Sequence, residues 1–139
     1  MNIVIKAERQ IKEIDKEFNN GYPFLKLQFY SNVLARQDRY PADKLISKEK
    51  KLRDAWSKVK EEGTINITGD MTVLQLEMAL MDRFGLAAQV FRKSGRVWLE
   101  TIRTDNWTLN DQNKHGRELS EEPIKDEEAG EDYDLHRED

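Results

Sequence analysis

Hydrophobic and polar positions in this chain repeat with two periods, and each change of period marks an element. Val4, Ala7, Ile11, Ile14 and Phe18 recur every three or four residues, a stripe that predicts an amphipathic helix over 3–19. The run NNGYP at 19–23 ends it, because Asn and Gly accept left-handed backbone and Pro cannot continue a helix. FLKLQFY, 24–30, then alternates, with Leu25, Leu27 and Phe29 on one side and Phe24, Lys26, Gln28 and Tyr30 on the other. That is the pattern of a half-buried strand. A shorter alternation over 64–68, Ile65 and Ile67 between Thr64, Asn66 and Thr68, predicts a second strand.

The helical period returns in VLQLEMALMDRFG. Val73, Leu76, Leu80 and Phe84 share a stripe that Leu74, Met78 and Met81 widen, so this helix should be largely buried. Thr72 with Gln75 three residues on makes a capping box at its start, and Gly85 is the expected stop. Strands over 86–93 and 96–103 follow, joined by a two-residue turn at Ser94–Gly95. With that turn, the cross-strand neighbours are Arg92–Val97, Phe91–Trp98, Val90–Leu99, Gln89–Glu100 and Ala88–Thr101. Ala88, Val90, Val97 and Leu99 form a small aliphatic face; Ala87, Gln89, Phe91, Lys93, Arg96, Trp98, Glu100 and Ile102 form a mixed one.

Two stretches are less decided. In 31–62, Leu45, Leu52, Ala55, Trp56 and Val59 stand at helix-compatible spacing, and 36–60 carries nine bases against four acids. This reads as a solvated connecting helix or as a basic helix that meets phosphate. In TDNWTLNDQNKHG, 104–116, Trp107 and Leu109 should fold back as an irregular strand or turn. LKLQFY at 25–30 is weakly echoed by LAAQVF at 86–91, which suits two αβ units in one sheet. The element order predicts an α+β fold: a two-layer sandwich with an about four-stranded, mainly antiparallel sheet and two to three helices on one face.

Composition adds a boundary. The chain has 139 residues, enough for one domain. Residues 118–139 hold eleven acids and two bases, a net charge of −9; the other 117 residues hold sixteen acids and twenty-one bases, a net of +5. We expect a single domain over 1–117 and a disordered acidic tail over 118–139, either a solubilising end or a screen for the basic body. No cysteine is present, so thiolate chemistry, disulfides and Cys-based zinc sites are excluded. No apolar run reaches the ~18–20 residues that span a bilayer, and MNIVIK is charged too early for a secretory signal. The expectation is a cytoplasmic protein without a membrane partner.

Enzyme chemistry finds little support. His115 and His136 lie at or beyond the end of the body, and neither has a partner at metal-ligand spacing. No nucleophile elbow, phosphate loop or dinucleotide fingerprint occurs. Glu61 with Glu62, and Asp70 with Glu77, are carboxylate pairs by residue type alone. No cofactor, metal or small-molecule substrate is implied, and the chain reads as a non-enzyme.

Binding is better grounded. Lys26, Tyr30, Phe91, Lys93, Arg96 and Trp98 fall on one sheet face. Aromatics on which bases stack, with Lys and Arg to track phosphates, suit single-stranded nucleic acid; the same patch suits a protein partner or a homodimer. The third reading has Trp107 and Leu109 covering that face, with Phe91 and Trp98 as a cross-strand core pair. The leading expectation is a binding or regulatory module acting through protein contacts. A nucleic-acid module using this face and the basic 36–60 segment is the alternative.

FGLAAQVFRKSGRVWLETIRTDNWTLNDQNKHG, 84–116, preceded by TINITGDMTVLQLE, resembles a family of small uncharacterised bacterial proteins. Their shared stretch reads FGLxxQVFRKSGxxWLxT and then TDxWTLxxQN. The match spans roughly residues 63 to 116, and the resemblance implies no activity, cofactor, substrate or site residue.

Overall fold

A computed structural model describes residues 1–56 and 61–120. The order of elements is β1 (Asn2–Ile5), α1 (Ile11–Gly21), β2 (Leu25–Tyr30), α2 (Leu52–Ala55), β3 (Gly63–Asn66), α3 (Val73–Phe84), β4 (Ala87–Ser94), β5 (Val97–Glu100) and α4 (Leu109–Ser120), with a 3-10 turn at Ala42–Lys44. The fold is α+β. The strands form two antiparallel sheets rather than one of about four strands: β1 pairs with β3, and β2, β4 and β5 line up in that order.

The chain start corrects the expected 3–19 helix. Ile3 and Ile5 are buried while Val4 is exposed, which is period two. The β-branched run Ile3-Val4-Ile5 suits a pleated strand better than a helix. Ile3 opposes Ile65, and Ile5 opposes Gly63. The helix starts only at Ile11, and Ile11, Ile14 and Phe18 carry its buried stripe. The 31–56 stretch holds only the 3-10 turn and the four-residue α2, where a connecting helix was the expectation. Leu52, Ala55 and Trp56 are buried even so, and the Trp56 indole donates to the Phe84 carbonyl. Val59, at the end of that spacing, lies outside the described residues.

Where the sequence signal is local, the element matches. Thr72 accepts from the Gln75 N–H at 3.0 Å, and Gln75 returns a bond to the Thr72 N–H at 2.9 Å. Gly85 closes α3 with φ of 68°, the left-handed cap expected there. The main core joins Ile3 and Ile5 of β1, Ile11, Ile14 and Phe18 of α1, Leu25, Leu27 and Phe29 of β2, Leu76, Leu80 and Phe84 of α3, and Ala88 and Val90 of β4.

Residues 104–107 turn back as expected, and Thr108 bridges Thr72, but from Leu109 the chain is a helix in place of irregular structure. Thr108 caps α4, its hydroxyl accepting from the Asp111 N–H at 3.0 Å. The preceding loop closes the start of α3: the Trp107 and Asp105 carbonyls accept from the Val73 and Leu74 N–H groups, two donors that a helix start leaves without intrahelical partners. α4 runs to Ser120, three residues past the expected boundary at 117, and the rest of the acidic tail lies outside the described residues. No helix among the described residues is long and apolar enough to cross a membrane.

Candidate functional site

The three-stranded sheet has two unlike faces. Leu25, Leu27, Phe29, Ala88 and Val90 point into the core. Lys26, Gln28, Tyr30, Ala87, Gln89, Phe91, Lys93, Trp98 and Glu100 share the other face by register and pleat. The hairpin turn falls at Gly95–Arg96, because Ser94 opposes Val97; the expected Ser94–Gly95 turn was one residue early. Gly95 takes a φ of 64° at the first turn position, where a type II′ hairpin asks for glycine. Phe91 therefore faces Glu100, and Trp98 faces Lys93, in place of the expected Phe91–Trp98 pair. The correction slides the pairing by two residues, so every side chain keeps its face.

One end of the mixed face is covered, but by 31–40 and not by 104–116. Tyr30 is 4% exposed and stacks on Tyr40 at 4.9 Å. Val33, Met81 and Ala87 complete this second cluster. Burial, with the nearby Glu100, Tyr40 and Glu77, pushes the Tyr30 phenol up to about 12, so it stays neutral. The Gln89 amide donates to the Asp38 carbonyl at 3.2 Å, and Arg39 meets Glu100 Oε1 at 2.8 Å on β5. Tyr30 is thus shielded from any ligand at the face. Leu109, by contrast, sits in the main core and Trp107 is exposed against His115, so neither covers Phe91 or Trp98.

Among the described residues the other end is open. Lys26, Phe91, Lys93 and Trp98 are each half-buried, and Arg96 is exposed in the turn. The Lys26 ammonium lies 5.9 Å from the Phe91 ring centre and 5.0 Å from that of Trp98, within cation–π range of both. Partial burial, helped by Lys48 and opposed by Asp15, holds its pKa below the usual lysine value. The site that the structure brings together is therefore Lys26, Phe91, Lys93 and Trp98, with Arg96 at its rim.

Five of the nine bases of the 36–60 segment pair with acids elsewhere in the chain. Arg36 binds Glu77 and Asp105, each at 3.0 Å; Arg39 binds Glu100; Lys51 and Arg53 bind Glu8 at 3.0 and 3.1 Å; and Lys48 reaches Asp15 at 3.8 Å. Lys58 and Lys60 lie outside the described residues. The carboxylate pairs suggested by residue type bind elsewhere: Glu61 to Arg83, Glu62 to the Ala7 N–H, Asp70 to the Thr68 hydroxyl and Glu77 to Arg36. Among the described residues no cluster of three His, Asp or Glu forms a metal-ligand set.

Two features escaped the sequence reading. Glu77 is 4% exposed, and its Oε2 accepts from the Val90 N–H at 3.0 Å. The strand β5 is too short to reach that donor; the Thr101 hydroxyl likewise takes the Val90 carbonyl at 2.9 Å. The second feature is the contrast between the sheet's two edges. On β2, Asn19 donates to the Leu25 carbonyl at 2.8 Å, Asp15 accepts from the Leu27 N–H at 2.8 Å, and Ile46 donates to the Phe29 carbonyl at 2.9 Å. On β5, Val97 and Leu99 turn inward to β4, so Trp98 and Glu100 aim their backbone groups outward, where no partner meets them among the described residues. Compared with protein-family models, curated proteins and solved structures, the chain shows no match.

Proposed function

We propose that this chain is a non-enzymatic binding module of the cytoplasm that acts through protein contacts, using the open end of the β4–β5 face. One observation carries the reading: two aromatic rings with one lysine laid over both stand half-exposed beside a strand edge that is unpaired among the described residues. Aromatics that keep an open face are what recurs at interface centres, and an unpaired edge offers main-chain hydrogen bonds to an incoming segment. A photo-crosslinking residue at Lys93 is expected to trap protein in the expressing cell, and the same residue at Lys114 on α4 is not. Equal trapping at both positions would sink the proposal.

The second reading, single-stranded nucleic acid, is favoured by Lys26, Lys93 and Arg96 around the rings. Against it stand the internal ion pairs of the 36–56 bases. Fluorescence anisotropy with a labelled oligonucleotide at low salt separates the two. Binding that Trp98→Ala and Lys93→Ala both abolish would move the site to nucleic acid; absence of binding leaves the protein reading in place.

A further inference from the structure

The exposed edge of β5 is self-complementary, and we infer that it pairs with the same edge of a second copy, antiparallel, to join two three-stranded sheets into one of six strands. This rests on the protein-contact reading above and names its partner. Because Trp98 and Glu100 carry the outward backbone groups, a two-fold pairing must set these residues against each other, and three registers do so. Centring the two-fold on Glu100 opposes two like charges, which is unfavourable. Centring it on Leu99 sets Glu100 against Trp98 of the other copy and leaves Arg96 opposite Ile102. Centring it on Trp98 satisfies every position.

In that register Trp98 meets Trp98 of the other copy, the sort of cross-strand aromatic pair that stabilises sheets. On the same face Arg96 meets Glu100 of the other copy at both ends of the pairing. Arg39 already occupies Glu100 Oε1, and Oε2 has no partner among the described residues, so it can accept Arg96 without breaking that contact. On the opposite face Val97 meets Leu99 of the other copy. Val97 is 54% exposed, an apolar residue on an edge where a lysine would discourage pairing. Charge, aromatic and aliphatic positions match in one register, and no residue of β5 opposes that pairing.

Sedimentation equilibrium of the full chain is expected to show a species of twice the 16.4 kDa chain mass, dissociating on dilution. Arg96→Glu and Glu100→Arg each place like charges across the two-fold, so each variant alone should be a monomer. An equimolar mixture of the two restores both ion pairs and should recover the dimer. Amide hydrogen exchange gives a check independent of folding losses at position 100: the Trp98 and Glu100 amides should slow as concentration rises, with the Leu27 amide unchanged. A monomer at every concentration, a dimer indifferent to Arg96→Glu, or a mixture that stays monomeric would each overturn the pairing. Monomer behaviour with crosslinking confined to Lys93 would overturn the pairing alone; crosslinking without site preference would overturn the wider reading.

Discussion

Glu77 is a carboxylate held where water does not reach. Burial raises its pKa from 4.5 to about 7; the Val90 N–H and Arg36 pull the other way without prevailing. The folded chain therefore holds this proton more tightly than the unfolded chain. The resulting stabilisation is full below pH 4.5 and is lost as pH rises through 7, a change of up to about 3 kcal/mol. Urea midpoints measured from pH 5 to pH 8 should fall more steeply for the wild type than for Glu77→Gln, which has no proton to lose; parallel curves would refute this. Gly116 makes a second residue-scale case. A Cβ there would stand 2.9 Å from Phe24 Cβ and 3.2 Å from the Lys93 carbonyl oxygen. Gly116→Ala gains about 1 kcal/mol of helix propensity and loses roughly 1–3 kcal/mol to overpacking. A net loss of stability is expected in thermal melts, where a gain would show that α4 can retreat. Neither role was fully legible in the sequence. Glu77 stands on the buried stripe of α3, four residues after Val73 and three before Leu80, so the period shows its burial; its partner is not visible there, because only the shortness of β5 gives it Val90 to bind. Thr72, Gln75 and Gly85 were legible because a cap is made within a few residues of chain.

The same division between local and distant causes governs the elements. β2 and α3 follow their apolar periods closely. β1 was lost because Val4 happens to continue the stripe of α1, and its strand character depends on β3, sixty residues away. The signal that could have found α4 was present: Thr108 with Asp111 has the form of a helix start. Of the candidate site, Lys26, Phe91, Lys93 and Trp98 were legible from period two alone, and a register error of two residues could not disturb that. Tyr30 was lost to 31–40, whose path over the sheet no periodicity announces. Asp15 ties α1 to the β2 edge, and the Leu27 N–H it accepts is buried. Asp15→Ala should cost about 1–3 kcal/mol, the usual penalty for an orphaned buried donor. Chemical denaturation measures it; an unchanged midpoint would mean that the edge donor finds another acceptor.

At the scale of the whole molecule, charge is divided unevenly between the body and the acidic end. Deleting 121–139 keeps every described residue of α4 and removes ten acids and two bases. If the acidic end screens the body, the shortened chain should bind a single-stranded oligonucleotide more tightly at low salt, with a steeper dependence on ionic strength. Equal affinity for both lengths would leave the tail as a solubilising end. The sheet itself is divided just as unevenly. One edge is closed by Asn19, Asp15 and Ile46, and among the described residues the other is bare. A stack of bricks with mortar on one side only cannot become a wall: once two have met, nothing is left to join. The groups that seal β2, two side chains and one main-chain amide, are therefore a stop signal for growth, and they make any association through β5 finite, a pair rather than a fibre.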